Sequence, residues 1–390
     1  MHPVVLCLII AGAVALTPPA SAEQPPRARD LGVPFDGTAG PLNAITDVEG
    51  VTVGHTSIVR DLPENRAVRT GVTAVLPLGE ATSDRPVFAG WFALNGNGEM
   101  TGTAWVEESG FLEGPVMITN THSVGAVHQA TIEWRVQQGS ADSSGYWWSL
   151  PVVAETWDGH LNDVNGFHVK AEHAHAALNA ASGGPVAEGN VGGGTGMICH
   201  EYKCGIGTSS RVAETGRGSY TVGVLVQANY GLRDTLRIAG VPVGQHLTED
   251  RAYAGLGKPI AESGSIIVVV ATDAPLLPHQ LKRIAKRASL GVARVGGMAG
   301  NGSGDIFIAF SNANADAVDQ AESSTTVRML ANERISPLFD ATVLATEEAI
   351  VNAMIAARDM TGDRGHVVRA IDHEQLRTVL RQYNRLDENG

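Results

Sequence analysis

Residues 262–272 read Glu-Ser-Gly-Ser-Ile-Ile-Val-Val-Val-Ala-Thr. The apolar run 266–271 is the length of a strand, is mostly β-branched and shows no alternation, which is the pattern of a strand buried on both faces. Downstream, a helix from about Pro278 places Leu281, Ile284, Ala285, Ala288 and Val292 on one face, with Lys282, Arg283, Lys286 and Arg287 on a solvated one. The Gly-rich turn 296–304 then leads into a second strand, DIFIAFS (305–311), and the tail carries helices over about 336–359 and 371–384. Upstream, 220–229 is a strand, and 231–264 lacks sustained periodicity and reads as a long surface connection. Earlier apolar runs bounded by turn residues (51–59, 71–78, 86–94, 115–120, 151–157) add strands, and 122–138 and 170–181 add helices. Strands and helices alternate irregularly, which points to layered α/β packing and not to a regular parallel barrel.

The chain has 390 residues, is 43% apolar and carries a formal charge of −13, enough to bury a large core and of the wrong sign for nucleic acid or anionic membranes. Residues 3–16 are apolar but too short to span a bilayer, and Ala20-Ser21-Ala22 fits a cleavage site before Glu23. The expectation is a signal peptide over 1–22, an n-region without Lys or Arg notwithstanding, and a mature domain over 23–390 that is periplasmic or secreted. Cys199 and Cys204 could bridge a short hairpin, although two reduced, half-buried strand residues are the favoured reading. A structural zinc site is not expected from two cysteines, and His168, His173 and His175 lack metal-ligand spacing.

Three places can carry chemistry. Gly264-Ser265 sits where a loop meets a rigid strand, and glycine opens backbone conformations that let the Gly264 carbonyl approach the Ser265 hydroxyl. Attack there would shift the acyl group from N to O, and hydrolysis would leave an N-terminal serine whose α-amine, with a pKa near ~7.7–8.0, can act as a base. Ser303 and Asp305, two apart on a strand, face one side as a hydroxyl backed by a carboxylate, unless they only form a turn. Asn229, at the end of a strand, could donate to an oxyanion or simply cap a turn. The run Gly192-Gly193-Gly194-Thr195-Gly196 lacks the context of a phosphate loop and reads as close backbone packing.

The segments NVGGGTGM (190–197), GIGTSSR (205–211), YTVGVLVQANYG (220–231), SIIVVVATDAPLLPHQLKRIA (265–285) and NGSGDIFIAFS (301–311) resemble the DmpA-like family of L-aminopeptidase/D-Ala-esterase/amidases and β-peptidyl aminopeptidases. TNTHSVGAV (119–127) and PVVAETWDGHLND (151–163) match its N-terminal half, and the resemblance runs from about Gly32 to Thr361. It implies a four-layer αββα sandwich similar to N-terminal-nucleophile hydrolases, and a precursor that cuts itself between Gly264 and Ser265 into an α chain (23–264) and a β chain (265–390). By motif match, Ser265 is the nucleophile, Ser303 the supporting hydroxyl, Asp305 its carboxylate and Asn229 the oxyanion donor. Glu155 would pair with the substrate's free ammonium. Trp157 departs from relatives that carry Tyr there, so an indole stands where a hydroxyl could help the oxyanion. The resemblance also implies a homotetramer of αβ units, small peptide, amide or ester substrates, and no metal or organic cofactor. Two competing readings share these residues: an aminoacyl transferase using the same site, and an exported binding protein that keeps the fold without catalysis.

Overall fold

The computed structural model describes residues 25–139, 148–254, 262–317 and 323–388, so the signal-peptide reading of 1–22 lies outside the described residues. The chain begins with an antiparallel pair, β1 (Thr52–Leu62) and β2 (Arg66–Leu76), then β3 (Val87–Ala93), α1 (Thr103–Ser109), β4 (Phe111–Leu112) and β5 (Val116–Asn120). Helix α2 (Val124–Gln138), β6 (Val152–Thr156) and α3 (Ala171–Asn179) follow. A short hairpin, β7 (Ile198–Cys199) and β8 (Tyr202–Lys203), precedes the long strands β9 (Ile206–Glu214) and β10 (Ser219–Asn229). The second half holds α4 (Val243–His246), β11 (Ser263–Thr272), α5 (Pro278–Val295), β12 (Gly302–Ser311), α6 (Ser336–Ile355), the pair β13 (Met360–Thr361) and β14 (Val367–Val368), and α7 (His373–Gln382).

Besides the two-stranded pairs β7–β8 and β13–β14, the described residues form two large sheets, one ordered β1-β2-β5-β6 and one ordered β4-β3-β12-β11-β10-β9. Three apolar cores separate four layers. Helices α5 and α6 pack on the six-stranded sheet through Leu281, Ile284, Ala345 and Ala349, which meet Ile266, Val268 and Val270. The opposite side of the same strand, Ile267, Val269 and Ala271, faces the four-stranded sheet at Val75, Val116, Ile118 and Ala154. Helices α2 and α3 cover that sheet's far side, with Val127, Ala130, Ala174 and Ala177 against Val72, Met117 and Val153. The fold is the αββα sandwich. The lack of alternation in 266–271 now has its cause: odd and even residues enter two different apolar cores.

Strand β11 runs parallel to β12 on one side and antiparallel to β10 on the other. Helix α5 links the two parallel strands, starting at Pro278 and stopped by Gly296, whose φ of 106° only glycine adopts without strain. The predicted apolar face of α5 is the buried one. Two expectations need correction. Cys199 and Cys204 form a disulfide and are not reduced, because the hairpin turn at His200 and Glu201, both with positive φ, brings the cysteine Cα atoms to 5.4 Å. The connection after residue 230 is not wholly a surface loop. Its Leu236, Ile238, Val241 and Val243 are buried in the helix-side core, and Arg233 is buried under Tyr202. Short apolar pieces without a repeat carry no periodic signal, which is why composition alone suggested exposure.

Candidate active site

Strand β11 begins at the site, and its neighbours fix what surrounds Ser265. In register, Ser265 stands opposite Asn229 of β10 and Gly304 of β12. The Ser265 hydroxyl is buried and accepts a hydrogen bond from the Gly304 N–H at 3.2 Å. Gly264 has φ 146°, and a Cβ added there would lie 2.2 Å from the Asn229 carbonyl oxygen and 3.0 Å from Tyr230 Cα. Both the backbone conformation and the space therefore require glycine immediately before the serine.

On β12, the Ser303 hydroxyl donates to Asp305 Oδ1 at 2.7 Å, so the pair forms one buried unit, as the two-residue spacing suggested. Burial pushes the Asp305 carboxyl up to about 6, against the pull of the Ser303 bond and with help from the neighbouring Glu262 charge. Tyr230 lies on the same side. Its hydroxyl is buried without a partner among the described residues, and burial, then Glu262 and Asp305, raise it well above its ordinary value.

The Asn229 amide is oriented from two sides. Its Oδ1 accepts from the Ile198 N–H at 2.9 Å, and its Nδ2 donates to the Trp157 carbonyl at 2.9 Å. One Nδ2 hydrogen remains for an oxyanion. Ile198 belongs to the β7–β8 hairpin, braced by the disulfide and by buried Lys203, whose ammonium donates to the Met197 and Cys204 carbonyls at 2.8 and 2.5 Å. Burial brings that lysine down to about 7.

Glu155 is buried at the end of β6, only 3% exposed. It accepts from the Glu99 N–H at 3.0 Å and from the Thr121 hydroxyl. Burial raises its pKa, while those two donors restrain the rise. A Cβ placed on Gly98 would sit 3.3 Å from Glu155 Oε1 and 3.1 Å from Gly304 Cα, so this carboxylate borders the segment that holds Ser265. Trp157, two residues on, is half-exposed. Its indole lies over Gly159 and lines a cavity of about 380 Å³ together with Arg66, His122, Asp163 and Arg364. Ser265, Asn229, Ser303, Asp305 and Glu155 thus gather around the Ser265 end of β11, whereas Trp157 reaches them through its carbonyl and its indole lines a cavity to which none of them contributes.

A scan of family models matches peptidase family S58 over residues 43–368. The chain belongs to peptidase family S58. A β-peptidyl aminopeptidase of Sphingosinicella microcystinivorans is 52% identical, with 99% of each chain covered. The solved L-aminopeptidase D-Ala-esterase/amidase of Ochrobactrum anthropi, described as a prototype for the serine aminopeptidases and a new variant of the Ntn hydrolase fold, is 52% identical. It superimposes with a TM-score of 0.87 over 93% of this chain and 99% of its own. A Burkholderia β-aminopeptidase gives 49% identity and a TM-score of 0.83 over 91% and 98%.

Within this S58 site, sequence reasoning missed the turn after β3. Asn95 Oδ1 accepts from the Asp305 N–H at 2.9 Å and its Nδ2 donates to the Gly300 carbonyl at 2.8 Å. Asn97 Nδ2 donates to the Gly302 carbonyl at 2.9 Å. The repeat Asn95-Gly96-Asn97-Gly98 was the available signal, since asparagine amides in glycine-rich turns tend to bind backbone. The Gly192–Gly196 run does pack backbone: a Cβ on Gly193 would meet Gln227 Oε1 at 2.1 Å and the Ile118 carbonyl at 2.8 Å. His173 caps α3 by accepting from the Lys170 N–H, His168 contacts Asp163, and His175 reaches the Ala130 carbonyl. Among the described residues no group of three His, Cys, Asp or Glu side chains could hold a metal.

Proposed function

We propose that this chain is a self-processing serine aminopeptidase that releases N-terminal residues from small peptides, amides or esters through an acyl-enzyme on Ser265. The observation that carries the reading is the position of Ser265. It directly follows a glycine at φ 146° and lies between the oriented Asn229 amide and the Ser303–Asp305 pair. Self-cleavage starts with attack of Ser265 Oγ on the Gly264 carbonyl carbon. The C–N bond breaks, the nitrogen takes the hydroxyl proton, and the ester formed is hydrolysed to a Gly264 carboxylate and a free Ser265. The α-amine so created serves as base in later turnovers.

In each turnover the substrate ammonium pairs with Glu155, Ser265 Oγ attacks the first amide carbonyl, and the Asn229 amide with adjacent backbone N–H groups holds the oxyanion. The proton passes to the leaving amine, and water resolves the ester. The αβ units assemble as a homotetramer, a reading supported by the family resemblance, and light scattering tests it. The apolar run 3–16 and the small residues 20–22 support export to the periplasm or beyond. Relatives named for β-peptidyl, L-aminopeptidase and D-Ala-esterase/amidase activities define the substrate panel. Intact-mass analysis of the purified chain beside Ser265→Ala tests the whole reading. Two pieces from wild type, the smaller starting at Ser265, and an uncut variant are expected. An uncut wild-type chain would overturn it.

A further inference from the structure

Glu262 lies two residues before Gly264 and is almost fully buried, at 5% exposure. A carboxylate there costs solvation, yet neither the attack on Gly264 nor substrate turnover uses it. Its partners are backbone N–H groups, most of them across the site in the turn between α5 and β12 and one, Gly231, just after β10. The Met298 N–H donates to Glu262 Oε2 at 2.7 Å. Gly300 packs so closely that an added Cβ would meet the Glu262 carbonyl oxygen at 2.4 Å and its Cβ at 2.9 Å. Asn95 closes the same turn by binding the Gly300 carbonyl, while its other amide atom holds the Asp305 N–H. Beyond Glu262, the register places Ser263 opposite Gly302 and Gly264 opposite Ser303.

We propose that Glu262 is a positioning residue for self-cleavage, its carboxylate anchoring the segment ahead of the scissile peptide to the backbone of the 298–300 turn. The inference rests on the self-processing reading and adds the residue that fixes the attacked carbonyl. The geometry behind it is a short lever. Gly264 has no side chain to fix its backbone, and although it packs against the Asn229 carbonyl, its ladder pairing is with β12 alone, at Ser303, since the pairing with β10 ends at Ser265. An anchor two residues upstream removes that freedom and keeps the carbonyl within reach of Ser265 Oγ, where a misplacement of about 1 Å can cost on the order of 100-fold in rate. A hydrogen-bond anchor requires an acceptor and not a charge. Glutamine therefore keeps the function and alanine loses it.

The test is a processing time course on the full-length chain, followed by mass spectrometry from a freshly made precursor, for wild type, Glu262→Gln, Glu262→Ala and Met298→Pro. The last removes the strongest donor, the Met298 N–H at 2.7 Å, while altering an exposed side chain. Glu262→Ala and Met298→Pro are expected to slow cleavage by about tenfold or more, and Glu262→Gln by less than about threefold. Once cut, all three are expected to lose several-fold less in kcat on an aminoacyl amide than they lose in the rate of cleavage, even where the Glu262 charge is gone from beside Asp305, a split that general loss of structure would not produce. Cleavage of Met298→Pro and Glu262→Ala at the wild-type rate would overturn the proposal, as would a glutamine variant as slow as alanine. If Glu262→Ala does not fold, the proline and glutamine variants decide the matter alone. A wild-type chain that stays uncut is a separate result and removes the self-processing reading itself.

Discussion

Glu155→Gln is the substitution that most directly probes how the site selects a free amino terminus. The carboxylate is buried and already takes two donors, from Glu99 N–H and Thr121, which leaves part of its acceptor capacity for a substrate ammonium. Glutamine has nearly the same shape, but its NH2 must face one of those donors or the substrate. In any pose the ammonium then meets a neutral group in a site closed to water. Removing one partner of a buried ion pair costs roughly 3–5 kcal/mol, mostly because the remaining charge stays unpaired. That corresponds to a loss of about 10²–10⁴ in kcat/KM. The assay compares an aminoacyl p-nitroanilide with its N-acetylated counterpart, using fully processed wild type and variant. The variant is expected to lose most of its activity on the free amine while its slight activity on the acetylated compound stays level, so that discrimination collapses. A kcat/KM on the free amine within about fivefold of wild type would refute the assignment. The wild-type acid limb should also lie above the usual Glu range, because burial raises the Glu155 carboxyl. As pH falls through that raised value, the carboxylate is lost and kcat/KM drops with it.

Asp305→Asn should be slow in turnover yet more stable than wild type at pH 7. The native carboxyl sits at about 6 against an ordinary 3.8, so the unfolded chain releases its proton first and stability falls as pH rises from about 4 to 6. The contribution is on the order of 2–3 kcal/mol, and comparing the melting temperature at pH 4 and pH 7 for both proteins measures it. Gly264→Ala puts a methyl 2.2 Å from the Asn229 carbonyl at φ 146°, and mass spectrometry should find it uncut or cut far more slowly. Replacing Cys199 and Cys204 by Ala should cost roughly 2 kcal/mol in urea unfolding, the loop closed being short. It should also lower kcat more than it raises KM, because Ile198 in the same hairpin orients Asn229. Glu348 is fully buried and pairs with buried Arg211 and with partly exposed Arg29, so Glu348→Ala strands the Arg211 cation and should cost about 3–5 kcal/mol in the same assay.

How far the sequence reached depends on whether each signal was local. The strand 266–271 and the helix from Pro278 are set by residues next to one another and stand in the structure as read, while Ser303 and Asp305, for which the pattern alone favours a turn, do form the pair that the resemblance implied. The four layers were not legible from periodicity, because which apolar core a residue enters depends on strands more than a hundred positions away, as Ala154 and Val75 are from Ile267; that part came through the family resemblance. The same limit hid the Asn95 turn, whose partners lie beyond residue 299, and Glu262, whose donor is Met298. The disulfide was misjudged for a related reason. A spacing of five residues permits a bridge without requiring one, and only the left-handed turn at His200 and Glu201 brings the two Cα atoms to bonding distance.

The position of Ser265 at the start of β11 follows from two demands that conflict elsewhere in the chain. Its backbone must be rigid, so that the hydroxyl keeps its place relative to Asn229 and Gly304, and the residue before it must be able to adopt a conformation closed to other residues. Within β11 the first demand is met by two apolar cores gripping alternate side chains from 266 onward. The second can be met only where that grip ends, and Gly264 and Ser265 are the last two residues before it begins. A nucleophile moved two residues inward, to 267, would be sealed in the apolar core between the two sheets, and one moved a single residue would face the helix-side core. One moved outward would lie beyond the residues that these two cores grip. The boundary between dry core and polar turn is therefore the one place on this strand where both conditions hold, and it is where the polar site residues collect.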